Sequence, residues 1–252
     1  MCIWTLDIGN TTAKLVLFAD NFVRKTIVLN TQTIINDLVG VSLGNSDLIY
    51  CSVVPNINIE KAVDKIDVHR ATFECIPINI DYLTRKTLGE DRVFAAYGAL
   101  QKFNSEQNSK DSIEYLIVID AGTAITCDIV HIKRKSFLGG AILSGESVLA
   151  DSLKKMGAQI PAIINDSSEF SFPAKSTNDS IRSGLFAQMS GAISYIIGLF
   201  LHSMSLQKEN IQIYITGGNR DNIRLEYECK REQYLVNFGL LQSYLYTNPN
   251  KK

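Results

Sequence analysis

The chain has 252 residues, 46% hydrophobic and 20% charged, with a formal net charge of −1. That length supports one large domain or two of about 125 residues, each able to bury a core, and an ordinary composition without low-complexity tracts excludes a disordered chain. Near-zero charge argues against a nucleic-acid surface, which needs clustered Lys and Arg; the basic triplet Lys133-Arg134-Lys135 reads as a solvated hairpin tip.

In chain order, Cys2 to Leu6 predicts a strand and Thr12 to Phe18 its return, joined by the turn Asp7-Ile8-Gly9-Asn10-Thr11. Phe22 to Leu29 follows as a third strand, Thr31 to Val39 as a short helix, and Asp47 to Val53 as an apolar strand ending at Pro55. Asn58 to Asp67 has helical periodicity, Thr72 to Ile76 resembles a strand, and Asp91 to Phe103 is helical. The polar run Asn104 to Ser112 is the best boundary candidate, dividing the chain into domains 1–110 and 111–252.

Beyond it the order restarts, with strands at Tyr115 to Asp120, Ala124 to Ile132 and Ser136 to Leu143. Helices at Gly145 to Met156 and Asp179 to Leu206, the strand Ile211 to Thr216 and a terminal helix near Gln233 to Tyr246 complete the second half. Residues 185–201 are apolar, but Gln188, Ser190 and Ser194 interrupt the run. A spanning helix needs about 20 predominantly apolar residues, so a buried core helix and no membrane partner are expected.

Five scattered cysteines, Cys2, Cys51, Cys75, Cys127 and Cys229, form no disulfide framework or zinc spacing, and are expected as small core residues of a reduced compartment. The chain enters its first strand directly, without a signal peptide, so a cytoplasmic location is expected. His69, His131 and His202 form no triad, and Met156, Met189 and Met204 read as core filler.

Two Asp-x-Gly-Thr-type turns stand out. Asp7-Ile8-Gly9-Asn10-Thr11 and Asp120-Ala121-Gly122-Thr123-Ala124 begin 113 residues apart, each between two strand-like runs. Such a turn offers backbone N–H groups and a hydroxyl to an anion, while its Asp can hold a phosphate-neutralising cation. One copy would be an ordinary turn. Two in matching contexts predict duplicated phosphate-binding architecture with a nucleotide as ligand.

Phosphoryl transfer to an alcohol requires positioning, charge neutralisation and a carboxylate to take the hydroxyl proton. Asp91 follows Gly89 at the start of a predicted helix, so it is either that base or a first-turn helix acid. Arg92 offers a planar fork for a carboxylate, or a surface salt bridge. Lys14 supplies positive charge near a transferred group or is an exposed strand residue. Gly217 and Gly218 allow close approach to a nucleotide or form a tight turn.

This organisation resembles the actin-like ATPase superfamily: an α/β fold of two ribonuclease-H-like domains closing on a nucleotide. The segment Asp7-Ile8-Gly9-Asn10-Thr11-Thr12-Ala13-Lys14 looks like the opening of the type III pantothenate kinases. Ser52-Val53-Val54-Pro55, Gly89-Glu90-Asp91-Arg92, Asp120-Ala121-Gly122-Thr123-Ala124, Gly139-Gly140-Ala141-Ile142 and Thr216-Gly217-Gly218 follow in the family's order. The resemblance implies ATP-dependent phosphorylation of pantothenate, the first step of coenzyme A biosynthesis, in a homodimer whose interface would include the helix around Gly184 to Leu206.

By the same resemblance Asp91 is the general base, residues Asp7 to Lys14 and Thr123 bind ATP, and Tyr82, Gly89, Glu90, Asp91, Arg92 and Thr177 bind pantothenate. Asp120 is implied as the ligand of a monovalent cation, K⁺ or NH₄⁺, and Asp7 as a Mg²⁺ partner, directly or through water. Thr177 also suits a helix N-terminus. The chain departs from the family pattern at Arg85, where a proline is usual, and at Ser144-Gly145, where Pro-Gly is usual. Two other readings are a ligand-binding regulator without turnover and a phosphatase or kinase acting on another hydroxylated acid.

Overall fold

The structure, a computed structural model, describes residues 1–60, 62–63, 66–106, 112–156 and 172–251. Its elements begin with β1 (Cys2–Ile8), β2 (Thr12–Ala19), β3 (Phe22–Asn30), α1 (Ile34–Val39), β4 (Leu48–Ser52), β5 (Val68–Arg70), β6 (Asn79–Ile80) and α2 (Glu90–Ser105). They continue with β7 (Tyr115–Ala121), β8 (Ala124–His131), β9 (Ser136–Ser144), α3 (Glu146–Met156), α4 (Thr177–Ser203), β10 (Ile211–Thr216), β11 (Cys229–Arg231) and α5 (Leu235–Thr247).

The first sheet has the order β3-β2-β1-β4-β5, antiparallel across β1–β2 and β2–β3 and parallel across β1–β4 and β4–β5. The second has the order β11-β10-β7-β8-β9-β6, so its β9-β8-β7-β10-β11 succession repeats the first. That repeat bears out the duplicated strand order expected from the two turns. The described chain divides into two compact units, neither contiguous in sequence: Met1–Leu116 with Ile129–Gly139 and Tyr234–Lys252, and Ile117–Asp128 with Gly140–Gln233.

In the first unit, β1 is covered on both faces, as a central strand must be. Trp4, Leu6 and Ile8 pack with Leu15, Leu29, Ile34 and Leu38 in one cluster. The alternate residues Ile3, Thr5 and Asp7 turn to the opposite face because strand side chains have period two. That face carries α5: Asn237 donates to Thr5, and the rings of Phe18 and Phe238 lie 6.4 Å apart. In turn α5 lies against α2 without side chains between them. A Cβ on Gly98 would stand 2.3 Å from the Leu235 carbonyl oxygen, and one on Gly239 2.0 Å from that of Phe94.

A glycine N-cap and the acids Glu90 and Asp91 in the first turn begin α2. Its middle, from Arg92 to Leu100, is buried on every side, so its stability comes from packing rather than from an amphipathic stripe. Burying a side chain such as Phe94 contributes about 1.5–3 kcal/mol.

Several expectations need correction. Thr72 to Ile76 is no strand: Phe73–Cys75 form one tight 3-10 turn, closed by a bond from the Cys75 N–H to the Thr72 carbonyl. No α-helix occupies the described residues of Asn58 to Asp67, where Ile59 and Ala62 instead plug the first core. His69 sits in β5 with its ring against Tyr244. The three short strands β5, β6 and β11, of two or three residues each, had no periodicity to reveal them.

Burial corrects others. Cys51 and Cys127 are buried as expected, but Cys2 and Cys75 are exposed. Met189 is a core residue, whereas Met156 and Met204 are exposed. The long helix α4 is not a core helix. Leu185, Met189, Ile193, Ile197 and Leu201 are buried at four-residue spacing, while Tyr195 and Leu199 stay exposed. By length and hydropathy it could cross a membrane, and less than half of its most apolar stretch is buried.

Gly239→Ala tests the helix crossing. Its methyl group would collide with backbone that cannot rotate away, and overpacking of this kind costs about 1–3 kcal/mol. The variant should lose that much unfolding free energy in urea titrations.

Candidate active site

The β1–β2 turn is short and internally tied. Gly9 N–H donates to the Thr12 carbonyl at 3.1 Å, and Thr31 braces the turn from β3's end, its N–H on the Thr11 carbonyl and its hydroxyl on that of Gly9. This use of Thr31 explains why α1 begins at Ile34 rather than at Thr31 as predicted. Asn10, Thr11 and Thr12 are left exposed at the tip. Asp7 is 8% exposed and pairs in register with Lys14 across β1–β2 and with Cys51 across β1–β4. Cross-strand partners share a face, so Asp7, Lys14 and Cys51 all point to the side covered by α2 and α5.

The start of α2 brings acids to the same neighbourhood. Burial, then the charges of Asp7, Asp91 and Glu90, hold the Cys51 thiol well above its ordinary pKa. Asp91 caps its own turn, one carboxylate oxygen accepting from the Arg92 N–H at 2.8 Å. A Cβ on Gly89 would lie 2.5 Å from that oxygen, so Gly89 is the residue that leaves the carboxylate its place. Glu90 faces elsewhere, 3.3 Å from Arg70. Its carboxyl is pushed above the ordinary value by desolvation, against the opposing pull of Arg70 and the Ser52 N–H.

Arg92 is no surface salt-bridge residue: it is 6% exposed. Its guanidinium carbon lies 5.7 Å from the ring centres of both Tyr82 and Phe137, which are themselves neighbours at 6.2 Å, a cation–π contact with an aromatic pair. Tyr82 in turn rests on Gly139, whose φ is +83° and where a Cβ would come within 3.1 Å of the ring. Phe137, in β9, is the residue that reading the sequence missed; it lies just outside the Gly139-Gly140 motif. Arg85, the departure from the family pattern, reaches back to the Ile80 carbonyl at 2.5 Å and braces the loop before α2.

The second unit holds the other turn, with Asp120, Gly122 and Thr123. Gly122 N–H donates to the Ala124 carbonyl at 3.0 Å, repeating the Gly9 bond. Gly217, at φ +92°, lies so close that a Cβ would sit 2.5 Å from a carboxylate oxygen of Asp120 and equally near the Ala121 carbonyl. Gly145 abuts the Gly122 and Thr123 carbonyls and donates to the latter at 2.9 Å. Tight packing thus accounts for both glycines, and Gly218 has open space. Thr177 is the exposed first residue of α4, whose cap is Ser176, accepting from the Asp179 N–H.

Among the described residues no cluster of three or more His, Cys, Asp or Glu could hold a metal ion. His202 is exposed, and His131 stacks edge-on against Tyr115. The triplet Lys133-Arg134-Lys135 is the exposed turn between β8 and β9, as predicted.

The raised carboxyl of Glu90 gives a test of this environment. Between pH 4.5, its ordinary value, and its higher native value, the folded chain holds more protons than the unfolded one, so stability falls as pH rises. Urea titrations across that window should show this slope in the wild type and a flatter profile in Glu90→Gln.

Known proteins resemble this chain in sequence and in fold. A family model for type III pantothenate kinases matches residues 3–198. The chain is 30% identical over 256 residues to a type III pantothenate kinase of Flavobacterium johnsoniae, covering 98% of this chain and 99% of the relative. It is 30% identical over 238 residues to one of Finegoldia magna, covering 84% of each. Among solved structures, a Campylobacter jejuni protein described as a candidate Baf family transcriptional activator aligns with a TM-score of 0.60 at 21% identity, over 98% of this chain and all of that one. A Sinorhizobium meliloti protein described as a candidate 2-dehydro-3-deoxygalactonokinase aligns at 0.56 and 11% identity, over 98% and 99%. These structural likenesses bear on the fold, which is that of the actin-like ATPases and sugar kinases. The chain belongs to the type III pantothenate kinases, a family of phosphotransferases.

Proposed function

We propose that this chain transfers the γ-phosphoryl group of ATP to the 4′-hydroxyl of pantothenate, with Asp91 as general base. The observation that carries the reading is the gathering of Asp7, Lys14 and Asp91 around one sheet face, next to a buried arginine set against two aromatic rings. Asp91 takes the hydroxyl proton as the oxygen attacks phosphorus, the bond from the γ-phosphorus to its bridging oxygen breaks, and ADP leaves. Lys14 offsets the charge that develops on the transferred group. The segment from Ile8 to Ala13 receives the phosphates at its exposed tip, Asn10 to Thr12, and Thr123 contacts ATP from its own turn.

Arg92 binds the carboxylate of pantothenate. Its rings fix the guanidinium plane, which suits a bidentate contact. Tyr82, Gly89, Glu90 and Thr177 complete the pantothenate-binding set. A single buried carboxylate at Asp7 fits Mg²⁺, which keeps several waters and takes few protein ligands, and which would neutralise phosphate charge. The cradle at Asp120, which a Cβ on Gly217 would fill, offers a carboxylate and backbone carbonyls, the hard oxygen donors that suit K⁺ or NH₄⁺.

The repeated strand order supports 1–110 and 111–252 as the duplicated domains, with α5 packed back on the first sheet. The free cysteines support a cytoplasmic location. We also assign a homodimer through α4. Gly184, Gly191 and Gly198 recur every seven residues with open space where a Cβ would stand, beside exposed Tyr195 and Leu199. Such a surface allows close helix–helix approach.

Asp91→Asn should lower kcat for pantothenate phosphorylation about 10²-fold or more, the scale of a lost general base, and wild-type turnover should be greater in K⁺ than in Na⁺ buffer. Undiminished activity in the variant would reject the base. Light scattering should give twice the 28.0 kDa chain mass; a monomer at assay concentration would reject the dimer.

A further inference from the structure

Asn237 is a polar residue in the first turn of α5, 1% exposed, and reading the sequence gave it no role. A buried amide is costly unless bonded. Its Nδ2 donates to the Lys14 carbonyl at 3.0 Å and approaches the carbonyl and the hydroxyl of Thr5 at 3.2 and 3.1 Å. The amide therefore bridges β1 and β2 one step behind the Asp7–Lys14 pair, and on the same face. The helix that carries it touches α2 backbone to backbone at Gly98 and Gly239, two turns beyond Asp91. One element thus fixes the strand backbone at Lys14 and the helix that bears Asp91.

We infer that Asn237 is a positioning residue for phosphoryl transfer, acting through Lys14. It pins the Lys14 main chain to α5, which sets where the ammonium group begins its reach relative to Asp91. The inference rests on the proposed role of Lys14. Displacement of about 1 Å can cost 10²-fold in rate, so a partial loss is expected when the bond is removed. The proposed role of Lys14 is on the transferred phosphoryl group and that of Arg92 on the carboxylate, so KM for pantothenate should change little.

The test is a double-mutant cycle in kcat with Asn237→Ala and Lys14→Ala, each variant checked for folding by thermal melting. Asn237→Ala should lower kcat about 10-fold in the wild-type background and cause no further loss once Lys14 is alanine. Equal losses in both backgrounds, or a rise in KM that matches the fall in kcat, would overturn the inference and leave the role of Lys14 standing. A Lys14→Ala variant with undiminished kcat would instead reject the Lys14 reading and the inference with it. Should Asn237→Ala not fold, the same cycle with Asn237→Gln, which keeps the amide but displaces it by one methylene, decides the matter. If neither folds, the residue is structural and the inference fails.

Discussion

The contact on which the first unit depends is the crossing of α2 and α5, where Gly98 and Gly239 let two helix backbones meet. Side chains of ordinary size would force the helices to the usual separation of about 8–10 Å. The first unit's share of the site hangs from that crossing. Asp91 and Arg92 lie at one end of α2, and the sheet face bearing Asp7 and Lys14 is closed by α5. A shift of either helix would be transmitted to both sets, because packed interiors do not absorb strain gradually.

A second device recurs in each unit. A glycine stands where any Cβ would lie 2.5 Å from the carboxylate oxygen of an acid, Gly89 beside Asp91 and Gly217 beside Asp120. The two cases differ in backbone: Gly217 has φ +92°, whereas Gly89 has φ −63° and would tolerate any residue by its dihedrals. At Gly89 it is space, not conformational freedom, that favours glycine, since a Cβ there would displace the Asp91 carboxylate. Arg92 is likewise held by its surroundings: its guanidinium is buried against the Tyr82 and Phe137 rings, where solvent screening is least.

Local bonds restrain the loops at Arg85 and Ser144-Gly145. Arg85 ties the loop before α2 to the Ile80 carbonyl through its side chain. Gly145, after Ser144, is retained where a Cβ would stand 2.2 Å from the Gly122 carbonyl, so the residue that the turn needs is present.

The sequence by itself determined the two Asp-x-Gly turns, the strands flanking them and the long helices. Each is a local matter of turn chemistry and apolar periodicity, legible in about ten residues. It also determined the family, through motifs whose order no single turn carries. Only tertiary structure decided that Arg92 is buried against Tyr82 and Phe137, that α4 leaves one face open, and that Asn237 holds Lys14 from 223 residues away. It also decided that Thr72 to Ile76 turns instead of extending and that strands of two or three residues form at all. The reason is common to these: burial, a neighbour's approach and a ladder partner are properties of residues distant in the chain, and no local period encodes them.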